Sequence, residues 1–241
     1  MESQIMGLRD FFKRRSEKMP VGKEGRHQPV RRAELSEAWI ALEINDTDRG
    51  LALATPYMES PDQELAADAK KIVALVRFRR NDYEGALLLF WDVVAVNDDS
   101  GNWFNVATAA TLGGNIEVGR EAFEHALTAQ QQRPNPEELS IPFMRQYYAC
   151  ALRDRGEFFR SLEQIEELRS IYEQLRITDD HFVYLRGVPF LAHTMDVAVD
   201  VFRGLGESFI WSDWLDSFAE RLDAEGREYL ESVAERLANG S

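Results

Sequence analysis

The sequence predicts an all-α protein built from stacked helical hairpins. Segments with helical periodicity, each of about 12–18 residues, alternate with short breaks at Gly, Asn, Asp and Pro, and no alternation of apolar and polar residues predicts a β-strand. A block formed by a turn, an acidic first helical turn and a small residue four positions before a large apolar residue occurs three times. The blocks begin at Asn81, Gly114 and Gly156, so the spacings are 33 and 42 residues. Such self-similarity is typical of helical repeats, in which each hairpin buries its apolar face against the next.

The first predicted unit is a degenerate helix pair over residues 33–44 and 48–58. Trp39 and Leu42 should face inward in the first of these helices, by their helical spacing. Pro56 should bend or shorten the second helix, because proline lacks the backbone N–H and its ring clashes with the preceding turn. Between the two helices, Asn45 is interpreted as a turn residue.

Three better-defined copies follow, at about residues 67–97, 102–134 and 142–175. The two helices of a hairpin can cross tightly only where the residues at the crossing are small. The small residues predicted at these crossings are Ala74, Ala107, Gly119 and Ala149. Eight to nine extra residues precede the third copy, and they fall around residues 130–138, where two prolines predict a lengthened loop.

These copies resemble the tetratricopeptide repeat, which has Trp, Leu-Gly and Tyr at fixed spacing in its first helix and Ala-x3-Phe in its second. In the best copy, Trp103 stands at the Trp position, and Gly119 and Phe123 form the pair of small and large residues. The preceding copy departs from the pattern at Lys70 and Arg77, which replace Trp and Tyr. The resemblance implies a right-handed α-solenoid of about four to five stacked hairpins with C-terminal capping helices.

The chain divides into three predicted parts: a basic amphipathic segment and linker (1–32), the repeat domain (33–206) and C-terminal capping helices (207–241). The last helix pair of the repeat domain is expected over residues 180–186 and 189–203, and it should stop at the glycines that follow. The capping helices are expected over residues 212–221 and 224–237. Their aromatic residues should cover the end of the stack, although a homodimer through them would also be consistent with the sequence.

The net charge of −14 is unevenly placed, since residues 1–32 carry nine Lys/Arg and four Asp/Glu, or +5, and the remainder carries −19. An acidic body argues against nucleic acid as the main ligand, because phosphate binding needs a cationic surface. No stretch approaches the roughly 18–20 apolar residues of a membrane span. The one cysteine, Cys150, leaves no internal disulfide, and we expect it to pack in the core. We therefore expect a cytoplasmic protein that is a monomer or a homodimer.

Patterns typical of catalysis are absent from the sequence, including a phosphate-binding loop and the HExxH and GxSxG motifs. His181 and His193 lie near several aspartates, from which a metal or acid–base site could be drawn. Asp179 and Asp180 also suit a helix N-cap, and His193 with Asp196 suits a surface pair. We expect no catalytic residue, metal site or cofactor, and an enzyme is the least favoured of the functions considered.

The resemblance implies that the first helices of the hairpins line the concave face of the stack and bind a partner there. A mixed aromatic, polar and cationic strip of this kind suits a peptide groove. The candidate residues are Lys71, Leu75, Phe78, Arg79, Phe104, Thr108, Thr111, Phe143, Gln146 and Arg153, with Cys150 among them. We therefore expect a non-catalytic protein–protein interaction module, scaffold or adaptor that binds a segment of another protein. The alternative is a specialised binder such as a secretion chaperone or a toxin-neutralising immunity protein.

The N-terminal segment is a second candidate for docking. Apolar residues fall on one side of a short predicted helix, and basic residues stand beside them. The residues concerned are Ile5, Leu8, Phe11, Phe12, Lys13, Arg14 and Arg15. Such a helix could bind an anionic membrane surface weakly, dock on a partner, or pack on the acidic body of its own chain, and the sequence leaves these alternatives open.

Overall fold

The computed structural model describes residues 33–239. Within this range it contains twelve α-helices, three short 3-10 helices and no β-strand, which confirms the predicted all-α class. The chain divides into two compact units, Met1–Glu138 and Leu139–Ser241, and the division falls in the predicted lengthened loop. None of the helices in residues 33–239 is long and apolar enough to cross a membrane.

The described part of the N-terminal unit consists of three helix pairs. The two helices of each pair pack on each other, and the second helix of a pair also packs on the first helix of the next pair. The pairs are α1 (Ser36–Glu43) with α2 (Thr47–Ala54), α3 (Gln63–Arg79) with α4 (Tyr83–Val96), and α5 (Ser100–Leu112) with α6 (Ile116–Gln132). As predicted for Pro56, α2 stops at Ala54 and gives way to the 3-10 helix Thr55–Tyr57.

The C-terminal unit is built around one buried helix, α10, which packs on three others. Its helices are α7 (Ile141–Asp154), α8 (Phe158–Leu175), α9 (Asp180–Leu185), α10 (Leu191–Leu205), α11 (Trp211–Ala219) and α12 (Ala224–Ala238). Helix α10 contacts α7, α8 and α12, while α11 packs beside α12. Gly206 has a φ of 61° and ends α10, as expected for the glycines there.

The same turn joins two helices at five places in residues 33–239. In each turn one residue has a positive φ, its N–H donates to the carbonyl three residues earlier, and the next N–H donates to the carbonyl five residues earlier. These are the two bonds of the Schellman motif, which satisfies carbonyls at the end of a helix. The residues with positive φ are Asn45, Asn81, Gly114, Gly156 and Gly187. Gly and Asn tolerate this left-handed conformation, which explains why they marked the turns in the sequence.

Three of the predicted small residues, Ala107, Gly119 and Ala149, lie where paired helices cross. A Cβ added to Gly119 on α6 would overlap Thr111 Oγ1 and lie 3.0 Å from the carbonyl oxygen of Ala107 on α5. In the next pair, the Ser161 hydroxyl on α8 donates a hydrogen bond of 2.8 Å to the carbonyl of Ala149 on α7. Gly119 lies 12 residues after Ala107, and Ser161 lies 12 residues after Ala149. The two hairpins therefore cross in the same register.

Candidate functional site

The predicted partner-binding residues on α3 are only partly accessible. Lys71 and Leu75 are half-buried, whereas Phe78 is buried. Arg79 is held in the fold, since its NH1 donates a hydrogen bond of 2.6 Å to the carbonyl of Leu42, and burial lowers the pKa of its guanidinium. Lys71 and Leu75 are therefore the members of this group that a partner could reach.

The predicted residues on α5 are buried and face other parts of the protein. The ring of Phe104 lies 6.3 Å from that of Phe123 on α6. Thr108 donates its hydroxyl to the carbonyl of Phe104 in its own helix at 3.0 Å. Thr111 is 0% exposed. These three side chains therefore offer no surface to a partner. The resemblance to the repeat family indicated a helix face, but it did not show whether that face is buried.

The predicted residues on α7 are engaged mainly within the C-terminal unit. Gln146 is buried, and its amide nitrogen donates to the carbonyl of His193 at 3.1 Å. Arg153 donates to Asp200 on α10 at 3.2 Å. Phe143 is half-buried. Gln146 and Arg153 thus hold α7 to α10, and Phe143 remains the accessible aromatic residue of this group.

An exposed apolar surface lies elsewhere in the N-terminal unit. On α4, the side chains of Leu88 and Trp91 are 65% and 40% exposed. The ring of Trp91 meets that of Trp103 on α5 edge to face, with centroids 5.6 Å apart, and Trp103 stacks on His125 of α6 at 4.5 Å. These four residues, hereafter the aromatic strip, join three helices into one apolar surface. Trp is among the residues that contribute most to protein interfaces.

Hydrogen bonds fix the indole at the centre of the aromatic strip. Trp103 Nε1 donates to Asp98 Oδ1 at 2.5 Å, and Arg133 donates to the backbone carbonyl of Asp98 at 2.9 Å. The hydrogen bond from Trp103, helped by Arg133, holds the pKa of Asp98 below its usual value. The same hydrogen bond links the Trp103 indole to the start of α5.

Helical spacing alone would place Trp91 and Trp103 mostly in the core, but Trp91 is 40% exposed. Helix α4 is apolar on all sides around Leu87–Trp91, so its sequence does not show which side faces solvent. In the structure Leu87 and Phe90 are buried, whereas Leu88 and Trp91 point outward. The run of five apolar residues in a helix of 14 residues indicates that some apolar side chain is exposed, but it does not show which one.

Two of the aspartates considered beside His181 and His193, and the one cysteine, have structural roles. Asp179 caps α9 by accepting the N–H of Phe182 at 2.8 Å, and Asp196 pairs with Arg236 at 3.3 Å. Burial raises the pKa of the Cys150 thiol to about 12. In the part of the chain that the structure describes, no group of three or more His, Cys, Asp and Glu side chains is placed to hold a metal ion.

Comparison with protein families, with curated proteins and with solved structures gives no match. The resemblance to the tetratricopeptide repeat therefore rests on the sequence pattern alone. The second docking candidate, with Leu8, Phe11, Phe12, Lys13, Arg14 and Arg15, lies outside the described residues.

Proposed function

We propose that this protein is a non-catalytic interaction module, a tetratricopeptide-like right-handed α-solenoid, which binds a segment of a partner protein on the aromatic strip. The repeated Schellman turn and the shared 12-residue register of two helix crossings support the repeat architecture. Helical repeats present rigid surfaces, so a partner can bind without ordering the scaffold.

The exposure of Leu88 and Trp91 is the observation that carries this proposal. Both are large apolar side chains on a well-formed helix, and the ring of Trp91 packs edge to face on that of Trp103. Burying an exposed Trp in a fitted interface typically contributes about 2 kcal/mol or more to binding. A preformed Trp surface is therefore a better candidate than the buried residues predicted from the sequence.

The charges around the aromatic strip indicate the chemistry of the partner. Asp92, Glu121 and Glu124 are exposed on α4 and α6, on a chain whose residues after 32 carry a charge of −19. Asp92 already pairs with Lys70, and Glu121 and Glu124 pair with Arg120. The excess acidic charge of the whole body, rather than these carboxylates alone, therefore favours a segment that presents aliphatic or aromatic side chains flanked by Lys and Arg, and salt should slow its association.

Site-specific photo-crosslinking tests this proposal. A photo-reactive amino acid at Leu88 should crosslink a partner segment with flanking basic residues, whereas the same group at exposed Ile210 of the C-terminal unit should not. Trp91→Ala should lower partner recovery at least about tenfold, because a buried anchor is lost. Ile210→Ser is the matched control and should leave recovery unchanged.

A third crosslinking position separates the aromatic strip from the surface predicted by sequence. Crosslinks obtained at Leu75 and not at Leu88 would place the partner on α3 and reject the aromatic strip. Unchanged recovery with Trp91→Ala would reject it as well, provided that circular dichroism shows the variant to be folded.

A further inference from the structure

Helix α4 exposes an apolar stripe along its axis, and this stripe continues the aromatic strip. Leu88, Trp91 and Ala95 are all exposed, and their spacing of three and four residues places them on one side of the helix. Phe90 and Val94, which lie between them in the sequence, are buried on the opposite side. The stripe therefore covers about two turns of α4, or roughly 10 Å.

The charged groups at this stripe are acidic. Glu84 is exposed one turn before Leu88, on the same side of α4. We call Glu84, Leu88, Trp91 and Ala95 the α4 outer face. Because this face carries an acidic group and no basic group, it suits a partner with basic residues better than it suits a second copy of itself.

The surface of α4 favours a partner that pairs its own backbone groups. At Leu88 and Trp91 the chain is inside the helix Tyr83–Val96, so the backbone N–H and C=O groups there are engaged within α4. Trp103 Nε1 also has a partner already, since it donates to Asp98. An extended segment buried on these apolar side chains would leave N–H and C=O groups unpaired, which costs free energy, whereas an α-helix pairs them internally.

Given the proposed function of the aromatic strip, on which this step rests, we propose that the partner segment binds as a basic amphipathic α-helix lying along α4. Its apolar residues recur at positions i, i+3 or i+4, and i+7, and they pack on Leu88, Trp91 and Ala95. The small side chain of Ala95 lets the two helices approach closely at that end. A Lys or Arg one turn beyond the apolar residues pairs with Glu84.

Selection from a displayed library of random peptides, using the full chain as bait, tests this proposal. The peptides need about 16 residues, or about four helical turns. Counter-selection on Trp91→Ala removes peptides that bind elsewhere. We expect the retained peptides to carry apolar residues at helical spacing with Lys or Arg among them, and to lack Pro in their middle.

Photo-crosslinking of a retained peptide measures its conformation on the protein. A photo-reactive amino acid is placed at Leu88 or at Ala95, which lie about 10 Å apart along α4. The two crosslinked residues of a helical peptide should be about seven positions apart. An extended peptide would give a separation of about three positions, since each residue of a strand spans about 3.3 Å.

A substitution at the end of the stripe tests whether the peptide lies along α4. Ala95→Gln should weaken binding of the retained peptides at least about fivefold, because a larger polar side chain would hold the two helices apart. Ala52→Gln, at an exposed position of α2, is the matched control and should leave binding unchanged.

Two kinds of result would overturn the partner helix while leaving the aromatic strip as the binding surface. One is a set of Trp91-dependent peptides with alternating apolar residues, or with crosslinks about three positions apart. The other is equal binding by Ala95→Gln and Ala52→Gln. If no retained peptide depended on Trp91, the proposed function itself would be rejected. Dimerisation that depends on Trp91, measured by light scattering, would also overturn the proposal, because a second copy would then occupy the face.

Discussion

Gly119 and Thr111 meet at the crossing of α5 and α6, where there is no room for a larger residue. Thr111 Oγ1 is buried and has no hydrogen-bond partner among residues 33–239. A Cβ on Gly119 would overlap this oxygen. The sequence predicted a small residue at this crossing from the Gly-x3-Phe spacing, but it could not show that the neighbouring threonine is sealed inside.

Gly119→Ala should destabilise the protein by about 1–3 kcal/mol, because overpacking a tight crossing forces the helices apart. Gly50→Ala on α2 is the matched control. Its added Cβ would lie 3.4 Å from Leu42 Cδ2, which is an ordinary contact, and alanine favours the helix by up to about 1 kcal/mol. Denaturant unfolding of both variants measures the difference. A Gly119→Ala variant as stable as the parent would contradict the tight crossing.

Cys150 should make the stability of the fold depend on pH in the alkaline range. Burial raises the pKa of its thiol to about 12, compared with about 8.5 in an unfolded chain. The contribution of the neutral thiol is fully present below pH 8.5, and it is lost as the pH rises towards 12, because the unfolded state then ionises first.

Denaturant unfolding between pH 7 and 10 tests this effect, with Cys150→Ala as the reference for all other ionisable groups. The free energy of unfolding of the parent should fall more steeply above pH 8.5 than that of Cys150→Ala. Parallel pH profiles would show that the thiol is accessible to water in the native state.

At the scale of the elements, the Schellman turn ends the first helix of each of five helix pairs. Its signal was strong in the sequence, since Asn or Gly stands at the positive φ of each of the five turns, and helix ends near Asn81, Gly114 and Gly156 could therefore be predicted. The accessible side of α4 could not be predicted, because Leu87, Leu88 and Trp91 are all apolar and tertiary packing decides which of them is buried.

Asn45 gives the simplest test of the turn. Its φ is 61°, a conformation that costs an ordinary L-residue about 1–2 kcal/mol. Asn45→Ala should lower the free energy of unfolding by about 1 kcal/mol, whereas Asn45→Gly should leave it unchanged or raise it. Equal stability of the two variants would show that the turn is not a constraint on folding.

At the scale of the whole molecule, the fold class and the positions of the helices could be predicted, whereas the binding surface could not. The partner-binding residues predicted from the sequence were chosen by their position in the repeat, but three of them, Phe104, Thr108 and Thr111, are buried. The position in the repeat specifies the direction in which a side chain leaves its helix. Whether that side chain is buried depends also on every helix packed around it. The aromatic strip arises from contacts between side chains of three different helices, α4, α5 and α6, and the pattern within one helix does not show such contacts.

The Schellman turn also has a consequence for how such a chain can change over evolutionary time. Its two hydrogen bonds involve backbone atoms, and it requires only one residue that accepts a positive φ. Duplication or deletion of a complete helix pair would therefore leave the remaining turns intact.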